Sequence, residues 1–283
     1  MCDCGGVQRV DVGAGMKWLE GRRVIDCAGG VSTYDGFEAA AWILKPQWFH
    51  PELTEINKKF PWLNFPHDHP PLIIDDVDIT QEAFFGFPRF RNEPPRPWQA
   101  LSQRELFDAM AWPFNLFDVL SGIGEGVPFD QMPASLNTEY GLGEPGASAL
   151  FDILNRHSEG GETALTNVYY CTMHGIGGDR DTDERNQFDE MWEMSLAEVR
   201  SSMASHAVEE PPCNIWPLDH SWIYGDGYDL HSGIFMAGSS ALIAELLSCQ
   251  QLEVVASTPE TDPWRHWDES GMFNKIRHAK PLI

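Results

Sequence analysis

No apolar run in the sequence approaches the roughly 18 uninterrupted residues that a membrane-spanning helix needs. The first residues, Met1-Cys2-Asp3-Cys4-Gly5-Gly6, have neither the basic nor the apolar region of a secretory signal peptide. The six cysteines are too sparse and too irregularly spaced for a disulfide scaffold. We therefore expect a cytoplasmic protein with free thiols and no membrane partner.

Recognisable catalytic signatures are also missing. The sequence contains no Gly-x-Ser-x-Gly elbow, no His-Glu-x-x-His site and no Walker sequence. The glycine-rich stretch Gly175–Gly178 does not complete a dinucleotide fingerprint, and no Lys-Ser or Lys-Thr pair follows it. These absences favour a protein that is not an enzyme and that needs no cofactor.

Basic residues are scarce, and the shortage is concentrated in one region. The 283 residues hold 19 Lys and Arg against 43 Asp and Glu, a net charge of −24. Residues 97–264 hold 5 basic and 27 acidic residues, whereas residues 1–96 hold 10 and 14. Because nucleic-acid binding needs cations that displace counterions, we expect no direct contact with nucleic acid. The same charge would attract a basic protein partner, although the simpler alternative is that it keeps the chain soluble.

The composition is that of a folded chain. Hydrophobic residues make up 42% and aromatic residues 12% of the sequence, which is enough to form a core. Residues 88–97 carry four prolines and three arginines and are the best candidate for a domain boundary. We expect an N-terminal region over residues 1–96 and an acidic α+β domain over residues 97–283, with the alternative that both pack as one body.

Apolar residues at helical spacing predict several helices. Ser102 and Glu105 form a capping box, which marks one helix start. The predicted helices cover Asp35–Lys45, Pro51–Lys59, Ser102–Trp112, Ala147 to the residue before Gly160, Phe188–Met203, and a segment capped by Ser239 or Ser240.

Strand signals are concentrated in the last third of the chain. Short apolar runs predict strands at Leu72–Ile74 and Thr163–Met173, and residues 122–146 are predicted to be a loop. The C-terminal part adds strands at Ser221–Tyr224, Ile234–Met236 and Leu252–Ala256. The fold class is therefore α+β: mixed helices with a small antiparallel or mixed sheet and a C-terminal ββαβ unit.

Part of this C-terminal segment resembles known sequences. The run Trp216–Trp222 is followed by Tyr228-Asp229-Leu230 and then by Gly238–Ile243. Residues 216–256 resemble a segment of uncharacterised bacterial proteins, some of which are similar to immunity proteins. The resemblance implies a binding role and carries no catalytic residue that could be transferred to this chain.

One histidine and aspartate cluster has the composition of a metal site. His67 and His69 are followed by Asp75, Asp76 and Asp78, and imidazole with carboxylate suits a divalent cation. Such a site would make the protein a metal-dependent hydrolase in which metal-bound water is the nucleophile. The alternative is a polar loop whose carboxylates cap turns, as the flanking prolines suggest.

A second acidic run has part of the spacing of a calcium loop. Asp179, Asp181, Asp183 and Glu190 occupy positions 1, 3, 5 and 12 of such a loop. Position 6, which should be glycine, is Glu184. An acidic helix start is therefore the better interpretation of this run.

Among the functions compatible with these features, we favour a non-enzymatic binding protein that docks on a basic partner. The alternatives are the metal-dependent hydrolase and a scaffold without any pocket. The candidate binding residues are Trp216, Asp219, Trp222, Asp226, Asp229, Trp264 and Trp267.

Overall fold

An antiparallel sheet of eight strands organises the chain in the computed structural model. The described residues are 7–27, 30–49, 73–74, 77–78, 99–109, 114, 116, 119, 136–137, 142–170, 190–204, 212–226 and 233–261. Helices and strands are both present, so the predicted α+β class is confirmed.

The helices are short and the strands many. The described helices are α1 (Val12–Met16), α2 (Gln103–Ala109), α3 (Gly146–Arg156), α4 (Leu196–Ala204) and α5 (Ser240–Ser248), with 3-10 turns at Lys17–Leu19 and Gly161–Thr163. The strands are β1 (Gln8–Val10), β2 (Val24–Cys27), β3 (Gly30–Thr33), β4 (Ala39–Leu44), β5 (Gln47–Phe49), β6 (Ile73–Ile74), β7 (Val77–Asp78), β8 (Gln99–Leu101), β9 (Leu136–Asn137), β10 (Leu165–Tyr170), β11 (Glu190–Ser195), β12 (Asn214–Pro217), β13 (Ile223–Gly225), β14 (Gly233–Gly238) and β15 (Glu253–Ser257).

The strand order of the main sheet is β1-β11-β10-β12-β13-β14-β4-β15. Two smaller hairpins, β2–β3 and β6–β7, and a three-stranded sheet, β8-β5-β9, accompany it. β1 and β4 belong to residues 1–96, and they pair with strands from the C-terminal region. The two predicted regions therefore share one sheet.

The strand β4 corrects a prediction. The sequence predicts a helix over Asp35–Lys45, but residues Ala39–Leu44 form a strand between β14 and β15. The reason is burial on both faces: every residue from Ala40 to Leu44 is at most 3% exposed. A central strand covered on both sides is apolar throughout, and such a run also satisfies helical spacing by chance.

A second correction concerns the segment that the sequence predicts as one helix, Phe188–Met203. Residues Glu190–Ser195 form β11 between β1 and β10, and the helix α4 begins only at Leu196. Ser195 and Glu198 form a capping box at this boundary, with the Glu198 carboxylate accepting from the Ser195 amide at 2.8 Å. The first half of the predicted helix therefore forms a strand of the main sheet, and only the second half is helical.

Several other predictions agree with the described elements. The capping box of Ser102 and Glu105 is confirmed, because the Ser102 amide donates to Glu105 Oε2 at 2.8 Å and the Glu105 amide donates to Ser102 Oγ at 3.2 Å. Ser239 caps α5 by accepting from the Leu242 amide.

The prediction of a loop over residues 122–146 is wrong in part, since these residues include β9 and the start of α3.

In the C-terminal part, β13 and β14 pair with each other, and α5 and β15 follow. β15 pairs with β4 and not with either hairpin strand. The strand that completes this part of the sheet therefore comes from the N-terminal region.

The two faces of the main sheet are covered differently. One face packs against α3, α4 and α5 through apolar residues such as Leu150, Val199 and Leu246. We call the outer surface of these helices, with the turn at 157–163, the helical face. The opposite face is rich in aromatic residues, including Trp42, Trp216 and Phe235, and it packs against α1, α2 and the 3-10 turn at Lys17–Leu19.

Candidate functional site

The predicted binding residues Trp216 and Trp222 flank the turn between β12 and β13. Both indoles are 0% exposed. Trp216 lies in the aromatic cluster, and Trp222 lies on the opposite side of the sheet, where its Nε1 donates to Ser158 Oγ at 2.9 Å. They are core residues in this structure and offer no contact area to a partner.

The tip of this turn is polar and tightly built. Asp219 is exposed, and its Oδ1 accepts from the Ser221 amide at 2.9 Å, which forms an Asx turn. His220 has a φ of 56°, in the left-handed region that non-glycine residues seldom adopt. Asp219 is thus the member of this group that a partner could reach.

An aromatic stack fixes the conformation of His220. The imidazole stacks on the Trp18 ring with centroids 4.5 Å apart, and the Arg22 guanidinium lies 4.8 Å from the centroid of the same indole. Burial, followed by the nearby Arg22 charge, lowers the pKa of His220. The neutral imidazole is therefore favoured, and the stack joins the turn to the N-terminal segment.

Asp226 is also buried, and its partner is within the chain. Lys45 Nζ lies 2.6 Å from Asp226 Oδ1, with side-chain exposures of 3% and 2%. The Tyr224 hydroxyl donates to Asp226 Oδ2 at 3.1 Å. Burial, and then the Asp226 charge, raise the pKa of Tyr224 well above its usual value, so Tyr224 remains a donor. The prediction that Asp226 contacts a partner is not supported by this placement.

This buried group does not resemble an open catalytic site. The lysine, carboxylate and phenol satisfy one another, and all three are less than 5% exposed. Asn214 closes the group from β12 by donating to the Tyr224 carbonyl at 2.9 Å. The group joins the ends of β4, β12 and β13, so it stabilises this end of the sheet.

The remaining predicted residues fall mostly outside the described part of the chain. This holds for Asp229, Trp264 and Trp267 among the binding residues, and for His67, His69, Asp75 and Asp76 among the metal ligands. Asp78 ends the short strand β7. Within the described ranges, no three His, Cys, Asp or Glu side chains are placed to hold a metal ion. None of the described helices is long and apolar enough to cross a membrane.

The surface carries the acidic excess that the sequence indicates for residues 97–264. Of the fourteen Asp and Glu side chains described in this range, eight are exposed, five are partly buried and one, Asp226, is buried. Sequence reasoning could not locate these charges, because it cannot assign the helices to one side of a sheet.

The helical face holds a large part of this excess. We include in it Glu144, which precedes α3 and accepts a hydrogen bond from Ser148 Oγ. Its carboxylates are then Glu144, Asp152, Glu159, Glu162, Glu198 and Glu245, and its arginines are Arg156 and Arg200. The opposite side of the sheet is closer to balance, because residues 7–23, residues 34–38 and α2 together hold five basic and six acidic residues. The charge of the molecule is therefore directional in its described part.

The arginines of the helical face are already engaged. Arg156 Nη2 lies 2.5 Å from Glu245 Oε1, and Arg200 Nη1 lies 2.7 Å from Asp152 Oδ1. Glu159 and Glu162 are exposed and have no ion pair with a described residue. These two carboxylates, in the turn after α3, are the most available to an incoming cation.

Glu245 gives a pH-dependent prediction. Hydrogen bonds from His157 and then Arg156 lower its pKa below the usual 4.5. A lowered carboxylate pKa stabilises the folded state above the unfolded-state pKa, and this stabilisation disappears as pH falls through the folded-state pKa. We expect Glu245→Gln to reduce the free energy of unfolding at about pH 7 and to reduce it by less at about pH 3.

Urea denaturation at both pH values tests this expectation. Glu159→Gln is the matched control, because Glu159 has no ion pair with a described residue. The same loss at both pH values would show that Glu245 contributes by packing and not by charge.

Three comparisons with known proteins were negative. No family model matches the chain, no curated protein matches it, and no solved structure matches it.

Proposed function

We propose that this chain is a non-enzymatic acidic binding protein, similar in role to an immunity protein or inhibitor, that docks on a basic protein partner. Its helical face would meet the lysine and arginine side chains of the partner. The observation that carries the proposal is the surplus of exposed carboxylates on this face, whose two arginines are already paired within the chain.

The directional charge supports this proposal over simple solubility. A soluble surface needs charge but gains nothing from gathering it on one side. A face with six carboxylates and two arginines, opposite a more nearly balanced side, would orient an approaching cationic protein and speed its encounter. The partner would then be blocked by occlusion.

Affinity between such surfaces also needs apolar anchors. Leu247 on α5 is 44% exposed and provides one on the helical face. Trp264 and Trp267 remain proposed anchors from the sequence. On the same sequence grounds we propose a cytoplasmic protein that contacts neither nucleic acid nor membrane directly, with the C-terminal ββαβ segment as a structural unit beneath the binding face.

Charge reversal on the helical face tests the proposal. The double substitution Glu159→Lys/Glu162→Lys should weaken capture of basic proteins from the native lysate by at least about tenfold at low salt. The reason is that these two carboxylates are exposed and lack ion pairs with described residues. The captured amount is measured by quantitative mass spectrometry at about 50 and 500 mM salt, where screening should abolish wild-type binding.

The control carries the same change of charge elsewhere. Glu20→Lys/Asp35→Lys alters two exposed carboxylates of the N-terminal region, away from the helical face. It should retain most of the binding. Equal loss in both variants would indicate attraction by net charge alone, and capture that does not respond to salt would contradict the proposal.

A further inference from the structure

The strand β15 has a described partner strand on one side only. It is the last strand of the main sheet, and it pairs with β4 in continuous register from Glu253 opposite Leu44 to Ser257 opposite Ala40. Within the described ranges, no backbone group bonds to its other side. Among the described residues, the outward N–H and C=O groups of β15 are thus left for another strand.

The opposite edge of the sheet has protective features that the five residues of β15 lack. β1 has only three residues and carries the charged Arg9, whose Nη2 lies 3.3 Å from Glu190 Oε1. Short length and charge are common ways to prevent edge pairing. β15 has five residues, Glu-Val-Val-Ala-Ser, without lysine, proline or a bulge in its register. Ala256, the fourth of its five residues, is exposed.

The surroundings of this edge are anionic. Glu253 accepts hydrogen bonds from the Gln103 and Arg104 amides at 2.5 and 3.1 Å, so α2 begins beside the start of β15. Burial and, to a smaller extent, the nearby charge of Glu105 raise the pKa of Glu253. Asp108 is exposed on the same helix as Glu105. Arg104, the one cation of α2, is already paired with Glu253 at 3.6 Å.

This charge argues against a second copy of the chain as the occupant. Pairing of two β15 strands would bring together two chains that each carry a net charge of −24, each with its own Glu105 and Glu253. Such repulsion disfavours self-association and favours a strand of opposite charge.

We propose that β15 accepts an extended, lysine- or arginine-rich segment of the basic partner as a ninth strand of the sheet. Backbone hydrogen bonds to the free edge would supply affinity, and the carboxylates of α2 would select the basic sequence. This inference rests on the proposed function. It adds a specific mode of binding, in which a segment of the partner pairs with β15.

Two synthetic peptides test strand addition on the full-length protein. The probe is a seven-residue peptide that alternates lysine and valine. The control peptide has proline in place of each valine, which keeps the charge but prevents strand pairing. We expect the probe to bind at least about tenfold more tightly than the control. Amide hydrogen exchange should slow in residues 253–257 on binding and stay unchanged in β1.

A pair of variants separates the edge from the helical face. Glu105→Gln/Asp108→Asn should weaken binding of the probe several-fold, and Gln can still serve the capping box at position 105. Glu159→Gln/Glu162→Gln, on the helical face, removes the same amount of charge and should weaken binding of the probe less. The reverse pattern would overturn strand addition.

Other outcomes also decide the inference. Equal binding of both peptides, without slower exchange in residues 253–257, would overturn strand addition but leave the proposed acidic docking intact. Failure of both peptides to bind at low salt would count against both proposals. A dimer in which the β15 amides are protected before any peptide is added would overturn the inference, because a second copy would then occupy the edge.

Discussion

Replacing Lys45 with methionine is expected to lower the free energy of unfolding by about 3–5 kcal/mol. Lys45 Nζ lies 2.6 Å from Asp226 Oδ1, and both side chains are almost fully buried. Methionine keeps most of the side-chain volume but removes the Lys45 charge from beside the buried Asp226 carboxylate. The Tyr224 hydroxyl still donates to this carboxylate, but a neutral donor does not replace a full positive charge. Urea denaturation followed by tryptophan fluorescence measures the loss.

A double variant shows whether the loss comes from the stranded charge. Lys45→Met/Asp226→Leu removes both members of the pair, and an apolar pair of similar volume often matches a buried ion pair in stability. We expect the double variant to recover more than half of the loss. If Lys45→Met alone costs less than about 1 kcal/mol, water must reach the Asp226 carboxylate and the pair is not buried in solution.

Local signals of the sequence predicted helix ends well. The capping box at Ser102 and Glu105 and the cap at Ser239 both form as the sequence indicates. A cap needs only residues three positions apart, so its geometry is present in the sequence itself. The second capping box, Ser195 and Glu198, follows the same rule but was not used to predict a helix start. It marks the start of α4, and weighing it would have divided the predicted helix over Phe188–Met203 correctly.

Partners distant in the sequence could not be predicted. Lys45 and Asp226 are 181 positions apart, and nothing near either residue indicates that they meet. The same applies to β4, which enters the sheet between two strands from the far end of the chain. Once inserted, its apolar residues are buried on both faces, and helical spacing in Asp35–Lys45 has no further meaning.

The candidate site could likewise be predicted only in part. The charge of residues 97–264 is a property of composition, and the sequence predicts it without a structure. Which side of the molecule holds the charge depends on how α3, α4 and α5 pack on the sheet. Trp216 and Trp222 are among the contact residues that the sequence predicts. Alternation along β12 and the approach to β13 instead directs Trp216 and Trp222 into opposite faces of the core.

These two tryptophans give the second large effect. Alanine at either Trp216 or Trp222 should lower the free energy of unfolding by about 3–5 kcal/mol, because each indole is fully buried. Phenylalanine should distinguish them. The Trp222 Nε1 donates to Ser158 Oγ, whereas the buried Trp216 Nε1 has no acceptor among the residues that the structure describes. Trp222→Phe therefore breaks a hydrogen bond, while Trp216→Phe removes a donor that is already unsatisfied.

We expect Trp222→Phe to cost about 1 kcal/mol more than Trp216→Phe, since both changes remove similar volume and only one removes a hydrogen bond. Thermal and urea denaturation of the four variants measure the differences. The same variants, assayed below their unfolding transitions, should keep wild-type affinity for a basic partner, because neither indole reaches the surface. A selective loss of binding in a stable Trp216→Phe or Trp222→Phe variant would instead return these residues to the interface that the sequence predicted.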